Sequence, residues 1–511
     1  MKKVFINILI VTAVSSIVSC KKTYLDTEPT DAISIGTVFE TTDNAKMAVN
    51  GLAKMMTLQY LGTQGFNGEG TIKMYYGNYP GNHFSINLSG WAPIINATYN
   101  DNTTSVYCYY PWYYYYKIVA NTNALIMHVD DATGAAAQKD FIKAQALTYR
   151  AYSFLMLAQL YGNRWDDSHA GSTPGIVLRT DESDGDQTRA TLEETYKQIY
   201  ADLDQAIALY KSSGLKRTKN YEVDANVAYA IYARAALTRQ DYVNAEAYAE
   251  KAMVGYPLMT NTEYNAGFCN PNREWIWSSY GASDETLYFY SYFSYIAFNS
   301  SASAVRTTPK MISRELYNKI PSTDIRRSQY LDPTGYTYTT STGNAGSSTL
   351  LYKDAFFAHP TLYSTASVYA YMQFKIAAND LPGVGNLNHF RSAEMYLIEA
   401  EAKYRQGKPD ADVQNLLVAL NNTSGRDVTY TCTKTGVALL DEIKLYRAIE
   451  LWGEGFDWFD MKRWNDPINR KTYANGGNFI TSLAVTIATD ANNKWTWKLP
   501  LKETDFNTLA E

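Results

Sequence analysis

The apolar positions of this chain follow a helical period over long stretches and lose it over others. Residues 140–162 read DFIKAQALTYRAYSFLMLAQLYG. Ala144, Ala151 and Ala158 recur every seven residues, and Leu147, Phe154 and Tyr161 follow each of them by three. A stripe alternating small and large side chains predicts a helix packed closely on another helix, ending at Gly162. Residues 192–210 predict a second amphipathic helix. Residues 225–257 predict two Ala-rich helices about a turn at Arg239, Gln240 and Asp241. There Ala233, Ala236, Ala245, Ala249, Ala252 and Pro257 sit where a tetratricopeptide repeat needs small side chains and a closing Pro. Residues 392–423 predict another pair, with Gly407 and Pro409 in its turn. The expected fold is mainly α: a tetratricopeptide-like scaffold of helix pairs over about 40–60, 111–257 and 391–464.

The stretches between are polar, aromatic and without period. Residues 62–110 and 261–390 are expected to form an irregular, loop-rich ligand lobe with a few short strands, and EWIWS at 274–278 is the best strand candidate. The run VYCYYPWYYYYK at 106–117 leads directly into a helical pattern. A period of 3.6 puts Trp112, Tyr116 and Val119 on one packed face, with Tyr113 and Tyr114 partly exposed. The run is therefore read mainly as scaffold, and the loop before it becomes the place for a ligand.

Composition narrows the partner. Tyr is in excess, 44 copies against 18 Phe and 10 Trp. Its apolar face and polar tip suit carbohydrate or peptide. A net charge of -5 argues against nucleic acid. Lys2 and Lys3, then an apolar run over 4–14, predict a signal peptide over 1–19, and Ser19-Cys20 predicts a lipid anchor on Cys20. Cys108, Cys269 and Cys432 read as buried thiols, with one disulfide possible.

The segment GTIKMYYGNYPGNHFSINLSGW at 70–91 mixes aromatic rings with amide and imidazole groups. Rings cover the C–H faces of sugars, and polar side chains bind their hydroxyls. The candidate ligand residues are Tyr75, Tyr76, Asn78, Tyr79, His83 and Trp91, joined by Tyr280, Tyr290 and Tyr292 from a second aromatic segment. Trp275 and Trp277 would share one strand face, at least one of them core. No cofactor is expected: His128, His169, His359 and His389 lack metal or triad spacing. Glu450, Glu454, Asp457 and Asp460 offer a carboxylate pair for glycoside hydrolysis. Arg447, Glu450 and Glu454 at i, i+3, i+7, followed by Arg463, read more simply as an ion-pair network on a helix.

The block LLDEIKLYRAIELWGEGFDWFDMKRW at 439–464 resembles the C-terminal signature of the SusD/RagB family. CKKTYLDTEP, PWYYYYKIVANTNALI, KAQALTYRAYSFLMLAQLYG, TYKQIYADLDQAI and LPLKETDFN are similar to further family segments, in order along nearly the whole mature chain. The resemblance implies residues 20–511 as one SusD-like domain without catalytic residues, on four tetratricopeptide-like helix pairs. It implies a lipid-anchored outer-membrane protein facing the cell exterior. Such a protein captures an oligosaccharide or polysaccharide and delivers it to a SusC-like TonB-dependent transporter. A peptide- or protein-binding member of the same uptake system, and a glycoside hydrolase, are the alternatives. Lys21-Lys22 directly after Cys20 departs from the acidic residues often found there.

Overall fold

Five of the longer helices begin where a side chain can satisfy their first free amides. The computed structural model describes residues 35–63, 65–283, 291–346, 350–491 and 494–510. Thr41 caps α1 (Thr42–Met55) and Ser105 caps α2 (Val106–His128). The helix α3 (Ala136–Tyr161) starts without a side-chain cap. Thr191 and Glu194 form a reciprocal capping box on α4 (Leu192–Ser213). Asp224 caps α5 (Ala225–Arg239), and Asp241 caps α6 (Tyr242–Met253). Between the last two, Gln240 takes the left-handed conformation that ends α5 in the predicted turn. The second predicted pair is α7 (Ser392–Arg405) and α8 (Asp410–Val418), followed by α9 (Gly436–Glu450) and α10 (Asp457–Trp464).

Successive helices from α2 to α8 pack in order, α2 on α3 through α7 on α8. The small residues make this possible. Ala144, Ala151, Ala233, Ala236, Ala245, Ala249 and Ala252 are fully buried, so neighbouring backbones approach closely. Between α6 and α7 the array is interrupted by residues 254–391, the irregular lobe. The strands of this lobe and of the earlier irregular segment are short and antiparallel: β1 (Phe84–Ser85) pairs with β3 (Met311–Ile312), and β2 (Trp275–Ser279) with β4 (Leu387–Arg391). Both Trp275 and Trp277 are core. The mainly α, tetratricopeptide-like expectation holds.

The aromatic run opens α2, with Pro111 inside the helix. Pro111 has no N–H, so the carbonyl of Tyr107 lacks its helical donor. The Tyr76 hydroxyl donates to it at 2.6 Å. One residue further, the Tyr161 hydroxyl donates to the Cys108 carbonyl at 2.6 Å and accepts from the Trp112 N–H at 3.2 Å. Two tyrosines from elsewhere thus repair the helix at its proline. Trp112 is buried as expected, and Tyr116 and Tyr113 are half-buried. Tyr114, expected to be partly exposed, is instead fully buried between Tyr60 and Tyr110, because α1 and Tyr60 cover that face. Cys108, Cys269 and Cys432 are buried free thiols. Cys20 and Tyr290 lie outside the described residues.

Candidate functional site

The segment expected to be a ligand loop is a helix inside the protein. Gly68–Thr71 forms a turn of α-helix that runs into a π-helix over Ile72–Asn78, closed by the Tyr79 N–H on the Met74 carbonyl at 3.0 Å. Tyr75, Tyr76, Asn78 and Tyr79 are each at most 2% exposed. Gly77 explains the fit: a Cβ there would stand 2.1 Å from the Gly455 carbonyl oxygen. The polar side chains are already occupied by the C-terminal signature. Asn78 donates to the Gly453 carbonyl and accepts from the Gly455 N–H, both at 2.8 Å. His83 Nδ1 lies 2.6 Å from Asp457 Oδ1. Burial alone lowers the His83 pKa, but the Asp457 carboxylate outweighs it and leaves it above the ordinary imidazole value. Tyr292, a further ligand candidate, is buried and donates to the Gly453 carbonyl at 2.6 Å.

The two aromatic segments do converge, but in the interior. Tyr292 packs against the backbone of Gly70, and Tyr295 meets Tyr75 edge-on at 5.8 Å. Trp91 is half-buried at the margin of this cluster, 4.8 Å from Tyr75, 5.7 Å from Tyr79 and 6.1 Å from Tyr295. The exposed Ser89 and Gly90 precede it in a short 3-10 turn.

Of the candidate residues that are described, Tyr280 is the one held out in solvent, 52% exposed. It stands at the mouth of an open cleft of about 650 Å³. The register of β2 on β4 places it, with Ser278 opposite Asn388 and Ser279 opposite Leu387. Immediately after it, Gly281 crosses the Gly385 carbonyl so closely that a Cβ would stand 2.0 Å from the oxygen. The Tyr221 ring meets Tyr280 edge-on, at 6.0 Å and 62°. Asn50 and Lys54 from the second half of α1, Asn220 from the loop before α5, and Asn386 are among its polar lining. That loop is held from behind: the Ser278 N–H donates to the Asn220 carbonyl at 3.1 Å, and Trp277 Nε1 to the Tyr221 carbonyl at 3.3 Å. Tyr221 and the amides gave no signal in the sequence, because they come from three separate segments without aromatic clustering.

The alternative acid pair is buried in charge. Arg391 bridges Glu274, Glu450 and Glu454 at 2.7–2.8 Å, and Lys375 joins Glu454 at 2.7 Å. Burial would raise the Glu454 pKa, but Arg391 and Lys375 hold it below the ordinary carboxylate value. The network expected within the segment is real in part: Asp460 takes Arg447 and Arg463 from the segment itself, while Glu450 and Glu454 take their cations from elsewhere. Glu454 lies beyond the end of α9, and Arg447 pairs with Asp460 at 2.7 Å while Arg326 takes Glu450 at 2.8 Å. The enclosed space beside Glu69, Glu454 and Asp460 is about 40 Å³, room for a water or two and not for a sugar ring.

A family model described as the SusD family matches residues 240–506. The chain belongs to the SusD family. A second model, described as SusD-like and "Starch-binding associating with outer membrane", matches residues 24–237. Among solved structures, a SusD-like carbohydrate binding protein from Bacteroides vulgatus ATCC 8482 superposes with a TM-score of 0.73 at 21% identity, over 92% of this chain and 98% of that one. A SusD superfamily protein from Bacteroides thetaiotaomicron VPI-5482 gives 0.72 at 21% identity, over 92% and 99%. Another SusD superfamily protein from Bacteroides vulgatus gives 0.72 at 18%, over 93% and 98%. No curated protein matches the chain. The SusD fold thus extends over nearly all of it.

Proposed function

We propose that this chain is a non-catalytic, glycan-binding outer-membrane protein whose binding site is the Tyr221–Tyr280 cleft. The observation that carries the reading is the solvent-exposed Tyr280 facing Tyr221 across an open cleft edged by Asn50, Asn220 and Asn386. Two rings at a steep angle offer apolar faces to a pyranose, and the amides offer donors and acceptors to its hydroxyls. The family model for outer-membrane starch binding and the carbohydrate-binding protein of the same fold support the ligand class. In this reading Cys20 carries the lipid after a signal peptide over 1–19, and residues 20–511 face the cell exterior as one domain. The protein holds oligosaccharide or polysaccharide loosely and passes it to a SusC-like TonB-dependent transporter, raising the local substrate concentration there. Cys20→Ala then leaves the protein in the aqueous phase of a detergent partition.

The binding site is tested by calorimetric titration of the full mature chain with neutral and charged glycans. Tyr280→Ala is expected to weaken binding by about tenfold or more, a loss of about 1.4 kcal/mol, with Tm unchanged because the ring is half in solvent. A glycan that binds the variant as tightly as the parent places the site elsewhere. Absence of binding to every glycan removes the reading.

A further inference from the structure

The aromatic run at the start of α2 is scaffold on one side only. Its outer side lines a second open groove of about 570 Å³, which shares no lining residue with the Tyr221–Tyr280 cleft. That volume is within the range of small-molecule sites. Tyr109, Tyr113 and Lys117 succeed one another at i, i+4 and i+8 and so share a helix face, with the exposed Ala120 one turn further on. The Tyr109 and Tyr113 rings are half-buried, 5.5 Å apart, and line the groove in a row. The Tyr116 hydroxyl is taken by the Val177 carbonyl at 2.6 Å, but among the described residues the hydroxyls of Tyr109 and Tyr113 have no hydrogen-bond partner.

The walls are fixed before any ligand arrives. The buried Asn123 donates to the Arg179 and Asp181 carbonyls at 3.1 and 2.7 Å, and Arg179 reaches on to the carbonyls of Ser183 and Gly185. At the other end Glu503 accepts from Trp112 Nε1 and from Asn507, both at 2.8 Å. Glu182 is paired with His128 at 2.8 Å, and Asp181 accepts from the Ser183 N–H at 2.9 Å. The exposed Lys502 and Lys117 lie over the rings, 4.6 Å from the Tyr109 centroid and 5.7 Å from that of Tyr113. Such contacts are worth about 0.5–1 kcal/mol at exposed sites, so an entering ligand displaces these flexible ammonium groups at small cost.

Resting on the glycan reading above for its ligand class, we propose that the α2 groove is a second carbohydrate-binding site, which takes an uncharged oligosaccharide along Tyr109 and Tyr113. Successive rings on one helix face meet the apolar faces of successive sugar units, and the free tyrosine hydroxyls bond sugar hydroxyls. The exposed charges at the rim, Asp184 against Lys117 and Lys502, are of both signs, so none selects an ionic ligand. A peptide has less to recognise here: among the described residues no strand edge lines the groove for β-addition.

The test is calorimetry on the full mature chain with neutral hexasaccharides of glucose, xylose, mannose and galactose. At least one is expected to fill two sites per chain. Tyr280→Ala leaves one of them, and Tyr109→Leu with Tyr113→Leu added to it weakens the remaining site by about tenfold or more. Tyr113 also packs on Tyr60, so Ala120→Arg gives an independent block: it obstructs the groove from an exposed helix position, removes no packing, and should leave Tm unchanged. Residual binding that neither the leucine pair nor Ala120→Arg alters overturns the proposal. So does a single site lost entirely with Tyr280→Ala, or a groove that binds a tryptic peptide mixture and no hexasaccharide. The two sites fail separately. If Tyr280→Ala changes nothing and the groove variants abolish binding, the cleft reading falls and the groove stands. If only Tyr280→Ala weakens binding, the groove falls and the cleft stands.

Discussion

Raising the pH should unfold this protein through its tyrosines. Tyr75, Tyr76, Tyr79, Tyr110, Tyr114, Tyr115, Tyr152 and Tyr161 are each at most 2% exposed. Burial, aided by neighbouring groups that are themselves negative when ionised, pushes each hydroxyl well above the ordinary value of 10. Several also donate to fixed acceptors that ionisation would repel: Tyr110 to the Gly68 carbonyl at 2.8 Å, Tyr152 to Glu69 at 2.5 Å. In the unfolded chain the same groups lose their protons near pH 10. The folded protein therefore keeps protons that the unfolded chain releases, and stability falls as pH rises above that value. Each group contributes about 1.36 kcal/mol per pH unit, so eight together remove about 11 kcal/mol in the first unit. That matches the whole stability of a typical domain, about 5–15 kcal/mol. The assay follows tyrosinate absorbance and helical circular dichroism on one alkaline titration. After the exposed tyrosines titrate, the remainder should ionise in a single steep step that coincides with loss of helix. Gradual ionisation of all tyrosines near pH 10 with the helices intact would refute the assignment of these rings to the core.

Three other outcomes follow from the same packing. Arg391→Met strands Glu274, Glu450 and Glu454 without their shared cation and should cost about 3–5 kcal/mol in a denaturant titration; a loss under about 1 kcal/mol would show that the network is not needed. Trp91→Ala uncovers Tyr75 and Tyr295 and should destabilise by about 2 kcal/mol, since the ring is half-buried; an unchanged Tm would mark it as a free surface ring. His83 is held above its ordinary 6.5 by Asp457, so the pair's contribution is complete below about pH 6.5 and lost as pH rises through the folded value. The Tm gap between the parent and His83→Gln should accordingly narrow from acid to alkaline pH, and a constant gap would contradict the ion pair.

Particular residues show what was legible. The alanines at 144, 151, 233, 236, 245, 249 and 252 announced close helix contacts, because a small side chain on a helical period has few other uses, and all are buried. The turn at Arg239, Gln240 and Asp241 was equally plain between two Ala-rich helical patterns, and Asp241 caps the second of those helices. Asn78, His83 and Tyr292 were read as ligand groups and are instead joined to the 453–457 segment. An amide in a Gly- and Tyr-rich segment looks the same whether it serves a sugar or a carbonyl 375 residues further on. Tyr280 was named as a ligand residue, but its ring partner Tyr221 and the amides around it were not.

Local pattern, then, sufficed for the helices, their close seams and the family, because each depends on residues a turn or two apart. Which tyrosines face water, which carboxylate meets which arginine, and where a cleft opens depend on segments far apart in the chain. A side chain carries its chemistry in the sequence, but its solvent and its partner come only from the folding of the other segments around it.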